Sequence, residues 1–134
     1  YTRENVVERV KALTDGTGVP VVFDSVGRDT FIASLDCLQP RGLMVSYGNA
    51  SGAVEPFSPG VLAAKGSLFL TRPSLGDYTA TREELLQRAN EVLGWVNSGE
   101  INLHIDISLP LSNAEEAHRR MEGRQSTGKI LLMP

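Results

Sequence analysis

Residues 19–49, VPVVFDSVGRDTFIASLDCLQPRGLMVSYGN, decide the fold of this chain. The run 21–23 is β-branched and aromatic and too short for a helix, so it predicts a strand that ends in a polar loop. Residues 28–38 carry apolar side chains at helical spacing and precede a second strand, 43–47. A strand, a crossover helix and a parallel strand form a right-handed unit, whose ligands bind beyond the carboxyl ends of the strands.

The segment after residue 49 predicts a third parallel strand. Residues 50–60 are rich in turn formers and predict a long surface loop. Residues 67–71 then form an apolar run that ends at Arg72-Pro73-Ser74. We therefore expect strands 20–23, 43–47 and 67–71 to lie side by side and parallel.

Two capping boxes mark helices in the rest of the chain. Thr81 with Glu84 opens a helix that ends before Gly99, and Ser112 with Glu115 opens a second helix. The second helix is expected to place Ala114, Ala117 and Met121 inward. Alternating apolar residues predict a strand over 101–109, and 129–133 reads as the last strand.

Composition sets limits on the class of protein. The chain has 134 residues, 41% of them hydrophobic, a formal net charge of -3 and a sequence pI near 5.4. A surface that binds nucleic acid needs a basic stripe, so no nucleic-acid partner is expected. No apolar run reaches membrane-spanning length, and the single cysteine fits a reducing compartment, so we expect a cytoplasmic protein without a membrane partner.

The first residues predict a truncated chain. Residues 1–4 lead directly into a helix with Val6, Val10 and Leu13 at helical spacing, with no initiator methionine and no preceding strand. Near the other end, Gly123, Gly128 and Lys129 have the spacing of a phosphate-binding P-loop. They follow a predicted helix and open a predicted strand, which is the reverse of the P-loop context, so that interpretation is rejected.

Several ordered motifs make the chain similar to a known family. They are FDSVG at 23–27, LDCL at 35–38, RGLMVSYGN at 41–49, SLFLTRPS at 67–74, TREEL at 81–85 and GKILL at 128–132. Together they resemble the NADPH:quinone oxidoreductases of the zinc-free medium-chain dehydrogenase/reductase superfamily, in particular the bacterial quinone oxidoreductase group. The resemblance covers essentially the whole chain.

The resemblance implies an α/β fold: a truncated, Rossmann-like, doubly wound parallel sheet followed by a strand-helix-strand segment. Residues 1–100 would be a partial dinucleotide-binding domain, and 101–134 a segment that returns to the catalytic domain. The implied cofactor is NADPH, the implied substrate is a quinone, and the isolated fragment is expected to be inactive. The implied cofactor contacts are Tyr1, Ser25, Tyr47, Gly48, Asn49, Ala50, Arg72, Pro73, Ser74 and Arg124.

Other reactive residues have simpler roles. Cys37 is expected to be a buried structural thiol. His104 and His118 lack ligands at metal-binding spacing, so no metal site is expected. No catalytic acid or base is identified, because hydride transfer needs chiefly a positioned nicotinamide.

Two alternatives stay open. One is an S-adenosylmethionine-dependent methyltransferase-like domain, and the other is a non-catalytic nucleotide-binding or crystallin-like protein. In the family that the chain resembles, the strand equivalent to 67–71 pairs across a two-fold axis. We therefore expect a homodimer through the apolar edge from Ser67 to Thr71.

Overall fold

A computed structural model describes residues 4–134, so Tyr1 lies outside the described residues. The first elements are α1 (Val6–Leu13), β1 (Val19–Asp24), α2 (Phe31–Asp36), β2 (Leu38–Ser46), α3 (Gly60–Ala64), β3 (Phe69–Thr71) and α4 (Leu75–Tyr78). They are followed by α5 (Arg82–Ser98), β4 (Ile105–Pro110), a 3-10 turn (Leu111–Asn113), α6 (Ala114–Glu122) and β5 (Lys129–Met133).

The chain divides into two compact units between Tyr78 and Thr79. In the first unit, three parallel strands lie in the order β1-β2-β3. The predicted parallel arrangement is therefore confirmed, and the carboxyl ends of all three strands share one edge. The functional division at residue 100 stays a prediction.

The core of the first unit lies against β2. Its buried cluster contains Phe31 and Leu35 from α2, Leu38 and Met44 from β2, and Leu68 before β3. Met44 and Leu35 are almost completely shielded from solvent, with exposures of 0% and 1%. Because close-packed side chains resist displacement, this core fixes the carboxyl ends of the strands and the start of the loops that follow them.

The second unit contains the predicted strand-helix-strand segment. β4 and β5 pair in parallel, starting at Ile105 beside Lys129, and α6 lies between them in sequence. Ala117 of α6 is buried at 5% exposure. Met121, which was expected to point inward, is 59% exposed, so that part of the prediction is wrong.

One of the two predicted capping boxes is present. The Thr81 hydroxyl accepts the Glu84 backbone N–H at 3.1 Å, and the Glu84 carboxylate accepts the Thr81 N–H at 3.1 Å. Gly99 ends α5 in the left-handed region, with φ at 81°. Ser112 instead lies in the 3-10 turn and donates to Asn113, so α6 has no side-chain cap. Within residues 4–134, no helix is both apolar enough and long enough to cross a membrane.

The crossover between β1 and β2 is shorter than predicted. The expected helix 28–38 is α2, which covers only Phe31–Asp36 and is preceded by a turn. Leu38 already belongs to β2. Pro40 and Arg41 lie inside β2, where the pairing with β1 is irregular and Arg41 has φ at 62°. A bulge tolerates proline because the ladder is interrupted there.

Three strand boundaries also differ from the prediction. Tyr47 lies just past β2, and Ser67 precedes β3 with φ at 57°. The predicted strand over 101–109 begins only at Ile105. Ile101 donates its N–H to the Trp95 carbonyl at 3.0 Å, which holds it against the end of α5 rather than in a sheet.

Candidate functional site

Asp24 ends β1 as a buried carboxylate that collects hydrogen bonds. Oδ1 accepts the backbone N–H groups of Val26 at 2.8 Å and Gly27 at 3.0 Å. Oδ2 accepts the hydroxyls of Thr30 and Ser34, each at 2.7 Å. Burial by itself raises the pKa of the carboxyl, but the four hydrogen bonds outweigh burial and lower the pKa of Asp24. The loop after β1 is therefore built on an ionised side chain.

Hydrogen bonds join this loop to the loop after β2. The Ser25 carbonyl accepts the Ala50 N–H at 3.2 Å, and the Val26 carbonyl accepts the Ser51 N–H at 2.8 Å. The Ser51 hydroxyl donates to the same Val26 carbonyl at 2.8 Å and accepts the Asp29 N–H at 3.0 Å. Because each loop satisfies the polar backbone groups of the other, the two loops hold one conformation together.

Glycines allow the two loops to approach closely. A Cβ atom on Gly48 would collide with the backbone carbonyl of Ser25. Gly27 has φ at 88°, and a Cβ there would lie 2.7 Å from the Gly52 carbonyl oxygen. Both positions therefore require glycine, the first for space and the second also for its backbone conformation.

The segment after β3 reaches back to the end of β2. The Arg72 guanidinium donates to the Ser46 carbonyl at 3.0 Å. Ser46 and Arg72 also line a cavity of about 270 Å³, together with Asn49 and Phe57. The segment Arg72-Pro73-Ser74 thus lies at the same sheet edge as the loops after β1 and β2.

The structure brings most of the predicted cofactor residues to this edge. Tyr47 is 52% exposed, and Asn49 and Ala50 are also exposed. Arg124 belongs to the second unit, where it follows α6 with φ at 53°, and its predicted role stays a prediction. The predicted residues at the edge are Ser25, Tyr47, Gly48, Asn49, Ala50, Arg72, Pro73 and Ser74.

Residues that hold the loops in place were not predicted to belong to the site. These residues are Asp24, Thr30, Ser34 and Ser51. A signal was present, because Asp24 follows an apolar run and precedes Val26 by the two-residue spacing of an Asx turn. Thr30 and Ser34 are four residues apart, which is the spacing of one helix face.

Cys37, His104 and His118 are not assigned to the site. Cys37 is buried, and its burial, assisted by the nearby Asp36 carboxylate, raises the pKa of the thiol. The prediction of a buried cysteine is therefore confirmed. Among the described residues, no group of three or more His, Cys, Asp or Glu side chains could hold a metal ion. The rejected P-loop segment runs from α6 to β5, as expected.

Known proteins resemble this chain over its whole length. Its residues 1–132 match the family described as zinc-binding dehydrogenase. The quinone oxidoreductase of Pseudomonas aeruginosa is 48% identical over 134 residues, and quinone oxidoreductase 1 of Escherichia coli is 51% identical over 136 residues. The match includes 100% of this chain but only 41% and 42% of those relatives. The chain therefore spans about two fifths of their length.

A solved structure has the same fold. The crystal structure of Escherichia coli quinone oxidoreductase complexed with NADPH aligns with 100% of this chain at a TM-score of 0.91 and 50% identity. The alignment covers 42% of that protein. The family description names zinc, and the expected absence of a metal in this chain stays a prediction. Sequence and fold together show that the chain belongs to the zinc-binding dehydrogenase family, within the medium-chain dehydrogenase/reductase superfamily.

Proposed function

We propose that the protein carrying this chain is a cytoplasmic NADPH-dependent quinone reductase, and that this chain supplies part of its cofactor site. The observation that carries the proposal is the likeness to Escherichia coli quinone oxidoreductase, whose crystal structure contains NADPH. The likeness includes the fold around the edge formed by β1, β2 and β3, where parallel sheets bind nucleotides.

The exposed groups at this edge fit a dinucleotide. Gly48 lets the loops after β1 and β2 meet closely, because its missing side chain would occupy the space of the Ser25 backbone. Ser25 and Asn49 offer polar groups on either side of that glycine, and Tyr47 offers a half-exposed aromatic ring. We assign Ser25 to the adenine ribose side of the cofactor, and residues 47–50 to the nicotinamide ribose.

The segment after β3 is assigned to the nicotinamide end. The Arg72 side chain is anchored by its bond to the Ser46 carbonyl, which ties the start of this segment to the end of β2. Their backbone groups would orient the carboxamide, and Arg124 would contact the cofactor from the loop before β5. NADPH supplies the hydride when bound, so the contribution of this chain is positioning.

The test is the reductase activity of the protein that carries this chain. We expect 1,4-benzoquinone to be reduced with NADPH, and Asn49→Ala to raise the KM for NADPH about fivefold through the loss of one polar contact. Asn90→Ala is the matched control, because Asn90 lies exposed on α5. A protein without NADPH oxidation, or an Asn49→Ala variant with an unchanged KM, would contradict the proposal.

The same preparation separates the two alternatives. Binding of S-adenosylmethionine with no binding of NADPH would favour the methyltransferase-like domain. Binding of NADPH without turnover of any quinone would favour the non-catalytic nucleotide-binding protein. The expected absence of nucleic-acid binding is tested with the same protein and duplex DNA.

We also propose that the protein is a homodimer through the strand from Ser67 to Thr71. β3 is the last strand in the order β1-β2-β3, and its far edge is unpaired within residues 4–134. Phe69 in this strand is 62% exposed. An apolar edge with open backbone groups favours pairing with a second copy of itself.

Light scattering tests the dimer with a matched pair of variants. Phe69→Lys is expected to give a monomer, because it places a charge on the pairing edge. Ile32→Lys introduces the same charge at an exposed position of α2 and is expected to remain dimeric. A monomeric parent, or a Phe69→Lys variant as dimeric as the parent, would show that β3 is not the interface.

A further inference from the structure

The buried carboxylate of Asp24 lies beside the proposed cofactor edge without being part of its exposed surface. Asp24 is 4% exposed, and its two oxygens are occupied by two backbone N–H groups and two hydroxyls. Its own carbonyl also accepts the Tyr47 N–H at 2.9 Å. One residue therefore contacts the loop after β1, the helix α2 and the start of the loop after β2.

The carboxylate sets the direction of the carbonyls that follow it. Because Oδ1 holds the N–H groups of Val26 and Gly27, residues 24–27 form a turn with one defined geometry. The outward carbonyls of that turn belong to Ser25 and Val26, and these accept the amides of the second loop. Loss of the carboxylate would therefore disturb residues 47–51, which it does not touch through its side chain.

The second carboxylate oxygen ties this turn to α2. Thr30 and Ser34 donate to Oδ2 from positions just before and within α2. Hydrogen bonds to an ionised group are stronger than those between neutral groups. The ionised state is favoured because the pKa of Asp24 is lowered by its donors.

We propose that Asp24 is a positioning residue for the cofactor: its carboxylate holds the loops after β1 and β2 in the conformation that presents Ser25, Gly48, Asn49 and Ala50. The identity of the ligand, NADPH, rests on the proposed function. The way in which Asp24 holds the loops rests on the hydrogen bonds described above. Because Asp24 is buried, the proposal assigns it no contact with the cofactor and no catalytic role.

The main variant is Asp24→Asn in the protein that carries this chain. Asparagine keeps one oxygen for the Val26 and Gly27 amides but places an NH2 group against the hydroxyls of Thr30 and Ser34. We expect the KM for NADPH to rise about tenfold, while kcat at saturating NADPH and quinone changes less than about twofold. We also expect faster hydrogen exchange at the amides of Ala50 and Ser51.

Asp36→Asn is the matched control. Asp36 is also an aspartate of the first unit, at the other end of α2, and it pairs with Lys65. The Asp36→Asn variant is expected to leave the KM for NADPH and the hydrogen exchange of the loop amides unchanged, even if it lowers the melting temperature. A loss of stability alone would thus affect both variants, whereas a change in KM and loop exchange is specific to Asp24.

A milder change keeps the test decisive if Asp24→Asn does not fold. The double variant Thr30→Val with Ser34→Ala removes only the donors to Oδ2 and is expected to raise the KM in the same direction. Unchanged KM and unchanged exchange at Ala50 and Ser51, in the variant that folds, would overturn the inference.

The exchange measurement separates this inference from the proposed function. If the parent protein does not oxidise NADPH, the proposed function fails. The positioning role of Asp24 is then tested only by hydrogen exchange at the loop amides. Faster exchange at Ala50 and Ser51 in the Asp24 or Oδ2-donor variant than in Asp36→Asn would support the positioning role. Equal exchange in the variants would refute it.

Discussion

The two units of the chain differ in what holds their side chains in place. The first unit has a buried apolar cluster on β2, and its site loops share hydrogen bonds with a buried carboxylate. In the described part of the second unit, Ala117 is the one buried hydrophobic residue. Large apolar side chains of that unit, including Leu93 at 64% exposure, remain in contact with solvent.

The charged groups show the same difference. Asp24 in the first unit is buried and fully provided with donors, whereas the ion pairs of Glu115 and Glu116 with Arg119 and Arg120 lie on the surface of α6. Surface pairs of this kind contribute at most about 1 kcal/mol and are screened by salt. The comparison teaches that the unit with the proposed cofactor edge is the one whose buried carboxylate fixes its loops, whereas the ion pairs of α6 in the second unit lie at the surface.

The largest expected effect comes from the core. Met44→Ala removes a side chain with no solvent exposure, so it should lower the free energy of unfolding by about 2–5 kcal/mol. Leu93→Ala in the second unit should change it by no more than about 0.5 kcal/mol, because that side chain is already exposed. Urea denaturation of both variants, followed by circular dichroism, measures the difference. Equal losses would mean that the two units do not differ in packing.

A matched pair of glycine substitutions sharpens the comparison. Gly48→Ala places a Cβ against the Ser25 backbone, and such overpacking costs about 1–3 kcal/mol. It should also weaken NADPH binding, since the clash moves the two site loops apart. Gly94→Ala meets no heavy atom within 4 Å and lies inside α5, so it should stabilise by about 0.5–1 kcal/mol. Thermal unfolding of both variants checks the opposite changes in stability, and NADPH titration checks the weaker binding by Gly48→Ala. A Gly48→Ala variant with unchanged stability would contradict the close contact between the two loops.

The sequence predicts features that depend on local patterns better than it predicts features that depend on the tertiary fold. The three parallel strands and the Thr81 capping box follow from local patterns, and both are present. The bulge at Pro40 depends on pairing with β1, which no local pattern contains. Loop residues such as Gly48 were identified through the family resemblance, but the network around Asp24 was not. Its donors lie up to ten residues away, and burial, which makes them important, is a property of the fold.

A smaller change in stability, confined to acid conditions, is expected from the titration of Asp24. Its pKa in the folded protein is lowered, so its stabilising effect is complete above the unfolded-state value of about 3.9. That effect is lost as the pH falls through the lower folded-state value. The stability advantage of the parent over Asp24→Asn should thus be constant near neutral pH and shrink below about pH 4. Unfolding free energies of both proteins across this range test it, and an advantage that disappears on raising the pH would contradict the ionised state.

The smallest expected effect compares the two capping sequences of the second unit. The Thr81 hydroxyl accepts the Glu84 N–H, so Thr81→Ala should cost about 1 kcal/mol. Ser112 makes no bond to a helix N–H, so Ser112→Ala should change stability by less than about 0.5 kcal/mol.

Two measurements follow the two helices separately. Trp95, the single tryptophan, lies in α5, so its fluorescence reports the unfolding of α5. Hydrogen exchange of the amides in α6 reports the unfolding of α6. A cost for Ser112→Ala equal to that for Thr81→Ala would mean that α6 is capped in solution by the side chain its sequence suggests. A larger cost for Thr81→Ala would support the structural difference between the two sequences: Thr81 is the N-cap of α5 and is extended, with ψ at 154°, whereas the N-cap of α6 is Asn113 and not Ser112.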